Sequence, residues 1–380
     1  MQGKRKIYST KKEVSEMKKL FLVPLAILLL VALIFGGCAK PAPAPAPAPV
    51  PAPAPAPAPV KPIVMKFALS GSPMALTNTM AVEPWARELE KRTNGRVQVK
   101  TYYGEALGRS SEYYDMLMAD AVELAGFTMH ILPGHFPLSD LYEIPLLIPY
   151  GLRDKTGKRI DDIIIQKWVI PLSFPKELKP LCFTRTTPSC IHSVEKPVRK
   201  LEDMKGLLLG FPGGKVVPSM LRAWGASGEV VLPPDMYTCL DKKMVDAQWI
   251  PAEANLKFKL YEVTKYMILT RIGGGITTNF MSPKTWANLP PDIQKIVDEL
   301  SPLFWDWSFE SFVKGDEEAI ENAKKAGLEI IELSPEEVAR WVKTAEGVAD
   351  KWVAEMEAEG IPAKEIVADI QRLVAEALKK

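Results

Sequence analysis

Residues 63–69 (IVMKFAL) have the apolar pattern of a strand. The period then lengthens over residues 79–93, where Met80, Trp85 and Leu89 recur at helical spacing before Asn94-Gly95 closes the run. Residues 96–103 alternate again, with Val97, Val99 and Thr101 on one face. Gly104 and Gly108 then break the pattern before a helix at 111–119. Strand, helix, strand and helix in this order predict parallel α/β units. Further strands are expected at 181–185, 207–211, 230–232 and 266–272, with a helix at 216–224, and Gly273-Gly274-Gly275 follows the last strand. The C-terminal third reads as helices at 291–326, 336–360 and 364–380 around one short strand at 328–333. Ser334-Pro335-Glu336-Glu337 puts a cap, a first-turn proline and acids at one helix start. The spacing of LSPLFWDWSFESF at 300–312 favours core, and the amphipathic C-terminal helices could cover their own core or that of a second copy.

The first 62 residues follow different rules. Lys18 and Lys19 precede an apolar run at 20–35 and the small pair Gly36-Gly37, the layout of a secretory signal that ends at Cys38. Small residues before a cysteine also resemble the bacterial lipobox, in which the thiol takes a lipid, although Phe35 stands where that box prefers Leu. The alternative is an uncleaved transmembrane anchor. Residues 39–62 repeat Pro-Ala, which neither helix nor sheet accepts, because proline lacks an N–H and fixes φ. A polyproline II spacer at about 3.1 Å per residue remains, with a reach on the order of 75 Å. The reading is a signal peptide at 1–38, a linker at 39–62 and a globular part from residue 63.

Composition mainly excludes. A chain of 380 residues with 47% hydrophobic content can bury the cores of two domains. A net charge of +2, from 48 basic and 46 acidic residues, argues against nucleic-acid binding. Cys182, Cys190 and Cys239 give an odd count in the body; a Cys182–Cys190 bridge is conceivable, but buried thiols are favoured. No nucleophile elbow, phosphate loop or Cys-x-x-Cys occurs, and Gly213-Gly214-Lys215 continues into Val216 rather than Ser or Thr. His130 and His135 are five apart and do not share a helical face as metal ligands. Asp161-Asp162 and Glu317-Glu318 read as solvated carboxylates. No enzyme, cofactor or metal is expected.

Four segments together carry a resemblance. WARELEKRTNGRV at 85–97 leads into YGEALG at 103–108, and FPLSDLYEIPLL occupies 136–147. KPVRKLEDMKGLLLGFPGG at 196–214 leads to Trp224-Gly225-Ala226, Asp235-Met236-Tyr237 and Val245-Asp246. SPKTWANLPPDIQKIV at 282–297 precedes AKKAGLEIIELSPEE at 323–337. In this order they resemble the solute-binding proteins of TRAP transporters. The resemblance implies a periplasmic-binding-protein type of α/β fold, with two domains around a ligand cleft, a long domain-spanning helix and a helical C-terminus. The implied domains are 63–184 plus 273–312, and 185–272 plus 313–380, with crossings near Arg185 and Gly273. It also implies an extracytoplasmic receptor that traps a small organic solute, carboxylate-like in most of the family, and delivers it to an integral-membrane permease. A lipoprotein that senses a ligand for a signalling partner would have the same fold.

One departure bears on the cargo. Where the family reads Gly-Leu-Lys-Ile-Arg-Val-Pro, with the arginine on a carboxylate, this chain reads Gly206-Leu207-Leu208-Leu209-Gly210-Phe211-Pro212. Gly210 takes the arginine's place and cannot grip a carboxylate bidentately. Either another cation serves, with Arg185 first, then Lys215, Arg109 or Arg271, or the solute is less anionic and rests on Trp249 and Ile250. Ile250 follows Gln248 and Trp249 at a frequent polar contact position. His130, Tyr102 and Asn279 complete the candidates, because strand and loop ends face the cleft in such folds.

Overall fold

A computed structural model describes residues 61–132, 134–145, 147–149, 152 and 154–379. Cys38, the leader and nearly all of the Pro-Ala linker lie outside the described residues. The strands are β1 (Ile63–Leu69), β2 (Val97–Tyr102), β3 (Leu124–Thr128), β4 (Lys179–Arg185), β5 (Ser189–Ser193) and β6 (Leu208–Phe211). They continue with β7 (Ser227–Val230), β8 (Ala247–Pro251), β9 (Tyr266–Ile272), β10 (Ile276–Met281) and β11 (Glu329–Glu332). They form two sheets, ordered β2-β1-β3-β10-β4 in a first lobe and β11-β9-β5-β8-β6-β7 in a second.

Neither sheet is purely parallel. β10 runs antiparallel to β3 and β4, and β5 runs antiparallel to β8 and β9. These two strands enter their sheet directly from the other lobe, through links 186–188 and 273–275. Such links hold no crossover helix, which a parallel neighbour in the same sheet would need. β3, β5, β8 and β10 were not expected from the pattern, because each is buried on both faces and shows no alternation. β7 lies three residues before the strand expected at 230–232, which runs into Pro233 at the start of a short turn.

The helix Pro291–Lys325 packs against β4 and the turn Asn78–Val82 of the first lobe, and against the helix Glu253–Lys257 and β11 of the second. It is the lobe-spanning helix expected from the resemblance. Its Phe304 stacks on Trp85 at 5.3 Å, an aromatic pair worth about 1 kcal/mol beyond its buried area. The helix expected at 336–360 is two helices, Pro335–Thr344 and Glu346–Ala358, which break at Ala345. Trp341, Trp352, Met356, Ile366 and Ile370 join the core that contains Trp224 and Trp249, so the C-terminal helices cover this chain's own core. Trp224 Nε1 donates to the Trp341 carbonyl at 2.9 Å and fixes that junction.

A helix at Lys155–Ile164 was not expected either. Asp154 caps it, its Oδ1 accepting from the N–H groups of Thr156 and Gly157 at 2.9 and 3.1 Å. This helix corrects the reading of Asp161 as a solvated carboxylate: Asp161 is buried and paired with Arg185. Cys182 and Cys190 are buried on different sheets and are not bridged to each other.

Candidate functional site

The two links between the sheets lie side by side. The Thr186 N–H donates to the Gly275 carbonyl at 2.9 Å, and the Gly275 N–H donates to Thr186 Oγ1 at 2.8 Å. Gly273 and Gly274 have φ of 72° and 145°, a backbone that side chains resist, and this is where the chain turns from β9 into β10. Beside this double crossing is a cavity of about 1100 Å³, its solvent-open mouth included.

Each wall follows from an element already described. Asn279 points into the cavity from β10, beside Gly126 of β3, its partner in register. A side chain on Gly126 would put its Cβ 2.3 Å from Asn279 Oδ1, so this glycine makes room for the amide. Phe304, Ser308 and Phe312 come from the long helix at spacings of four and share one face. Trp249 and Ile250 come from β8, and Trp249 is backed by Trp224 at 5.3 Å. Phe127 and Phe258 make the wall aromatic on both lobes.

The ionisable groups are few. His130 Nδ1 lies 3.8 Å from Glu143 Oε1, and Glu143 Oε2 accepts from the Gly274 N–H at 3.4 Å. Burial holds His130 down at about 4 and pushes Glu143 up to about 7. At neutral pH the pair therefore presents an uncharged imidazole and a carboxyl that is part protonated. Burial also raises Glu253, with Lys257 pulling the other way and Asp316 adding to the rise. Lys257 ends the short helix after β8 and also lines the cavity.

Four of the expected residues meet at this cavity: His130, Trp249, Ile250 and Asn279. Gly210 and Gln248 lie behind it as register partners, and a Cβ on Gly210 would come within 2.3 Å of the Gln248 amide. The glutamine has thus taken the volume beside the vacant arginine position. Arg185 faces elsewhere: its Nε donates to Asp161 Oδ2 and its Nη2 to the Leu152 carbonyl, both at 3.0 Å. Lys215 is exposed and pairs with Glu359 at 3.7 Å, while its backbone N–H donates to Asp140. Arg109 reaches Asp235 at 4.0 Å and Arg271 pairs with Glu332. Tyr102 ends the edge strand β2, away from the cavity lining. None of the four arginines and lysines expected from the sequence is among the described lining residues.

Sequence reasoning missed Glu143, Glu253, Lys257 and Asn78. Glu143 carried a signal, an acid set among Leu141, Tyr142 and Ile144. Lys257 lay in the run LKFK, which reads as a solvated basic face.

Residues 71–356 match the family described as bacterial extracellular solute-binding protein, family 7. The chain belongs to that family. It is a solute receptor of the TRAP type, and such receptors are extracytoplasmic. It is similar to the C4-dicarboxylate-binding periplasmic protein DctP of Rhodobacter capsulatus, at 25% identity over 80% of this chain and 90% of that protein. Among solved structures it resembles a TRAP solute-binding protein from Rhodoferax ferrireducens in complex with benzoate. The TM-score is 0.76 at 21% identity, over 83% of this chain and 99% of the other. A Bordetella bronchiseptica TRAP protein with bound mandelate aligns over the same shares, with a TM-score of 0.72 at 19% identity. The fold is therefore the two-domain, periplasmic-binding-protein type expected from the resemblance. Among the described residues, no helix is long and apolar enough to cross a membrane.

Proposed function

We propose that this receptor takes an aromatic or strongly apolar monocarboxylate, holds it without turnover, and passes it to a membrane permease. The observation that carries this reading is the cavity wall. Phe127, Trp249, Phe258, Phe304 and Phe312 line it, and no arginine is among the described lining residues. A C4-dicarboxylate needs two cationic contacts in an otherwise polar pocket; an aryl ring gains from an apolar wall and needs one polar end. Solved relatives that carry benzoate and mandelate support the same reading. Hinge closure at the Thr186–Gly275 crossing would exclude water from the ring. Cys38 holds the receptor to the membrane through lipid, with the Pro-Ala segment as spacer, and release of a Cys38→Ser variant into the medium is the expected result.

The direct test is a thermal-shift series with benzoate, 3-hydroxybenzoate, mandelate, succinate and malate. A ligand at a hundred times its Kd adds about 2.7 kcal/mol of stability, so the aromatic acids should raise the melting temperature clearly. A larger rise with succinate or malate than with any aromatic acid would overturn the reading.

A further inference from the structure

We infer that Lys257 is the residue that holds the solute's carboxylate, reaching from the second lobe onto the Gly71 turn of the first; this rests on the reading that the cargo is an acid. Lys257 is the one lysine or arginine among the described lining residues, and it is half-buried. Its charge acts on Glu253 one turn earlier, yet no ion pair with a described residue ties it down. The Nζ lies 5.2 Å from the centre of the Phe258 ring, so the amine sits beside an apolar surface where a counter-charge is worth more than in water.

The opposite wall is shaped to receive it. A Cβ on Gly71 would sit 2.7 Å from Lys257 Cε and 3.4 Å from its Nζ, so the end of the lysine lies against this turn and would have to move if a side chain stood there. The same point is 3.3 Å from Asn78 Nδ2, which donates one N–H to the Ser72 carbonyl at 2.7 Å and has a second to give. Asn78 and Gly71 belong to the first lobe, and Lys257 follows β8 of the second. A carboxylate between Lys257 and Asn78 touches both lobes at once, which favours the closed arrangement over any open one. A lysine presents a point charge rather than a fork, which suits a single carboxylate and one cation. The acid-binding role lost at position 210 is thus taken up 47 residues later, on a different element.

Calorimetry with benzoate, hexanoate and benzamide on the full protein, Lys257→Met and Lys257→Arg tests this. Benzoate should lose about 30-fold or more in affinity in Lys257→Met, with much of it restored in Lys257→Arg. Weak binding of benzamide should not change. Equal melting temperatures of the ligand-free proteins show that folding is intact. If Lys257→Met does not fold, Gly71→Ala displaces the same side chain and should weaken benzoate. Unchanged benzoate affinity in Lys257→Met overturns the inference and leaves the aromatic-acid reading standing. Binding of hexanoate but not benzoate, lost in Lys257→Met, sustains the lysine and sinks the aromatic reading. Failure of both acids to bind the unaltered protein overturns both.

Discussion

Arg185 and Lys257 are both half-buried or deeper, and the molecule uses them in opposite ways. Arg185 spends its donors on Asp161 and the Leu152 carbonyl at 3.0 Å, inside the protein. Lys257 ends on the cavity, against the Gly71 turn. A guanidinium paired with a buried carboxylate and set outside the cavity lining is not placed to select a ligand, whatever its position in the chain. Burial pushes Asp161 above the usual carboxylate range even with Arg185 pulling it down, so the pair is held together by the cost of separating it.

The largest effect is expected at Arg185. Arg185→Met leaves Asp161 buried and unpaired and should cost about 3–5 kcal/mol in denaturant unfolding. Benzoate affinity of the folded fraction should be unaltered. Adding Asp161→Asn should recover much of the loss, since the uncompensated charge is then gone. A selective loss of benzoate binding with no change in stability would reverse the roles given to the two cations.

Glu143 stands between these extremes, because it lines the cavity and also braces Gly274 at the crossing. Its pKa rises on folding from 4.5 to about 7. Between those values the folded protein holds more protons than the unfolded chain. Its contribution is therefore complete below about 4.5 and falls away as pH rises through about 7. His130 slopes the other way: its pKa falls from 6.5 to about 4, and its contribution is lost as pH falls through that lower value. Wild-type stability minus that of Glu143→Gln isolates the carboxyl. It should drop by about 3 kcal/mol between pH 4 and pH 8. A flat difference would mean that folding leaves the carboxyl titrating as it does in the unfolded chain, so that burial does not act on it.

Gly210 should give the smallest effect. Gly210→Ala drives a methyl into the Gln248 amide and should cost about 1–2 kcal/mol by overpacking. Gln248→Ala in the same chain should remove most of that cost. If Gly210→Ala is neutral alone, the glutamine moves freely, and the arginine position is empty rather than filled.

The fold was legible where the pattern had contrast. β1 and β9 fall where alternation and turn glycines put them, and the family segments were readable as local strings. The strands buried on both faces were not, since a run such as Ser189–Ser193 has no polar side to count against. The site was half legible. Trp249 could be placed by counting along the family segments and Asn279 as a strand- or loop-end residue, although neither of their strands was expected. Arg185 could not be separated from the ligand without knowing that Asp161 returns to it from 24 residues earlier. Lys257 was hidden for the opposite reason: nothing in the string shows that Gly71, far upstream, lies against it.

Phe304 belongs to the first lobe's core, stacked on Trp85, and to the cavity wall as well. Any exchange there alters scaffold and pocket together. Lys257, at the end of a five-residue helix, belongs to no described core cluster, whereas Phe258 beside it packs against the second lobe's core. The receptor is thus built like a vice with one fixed jaw and one replaceable face. A change of cargo can be reached at Lys257, the last residue of the short helix after β8, without rebuilding the spine behind it.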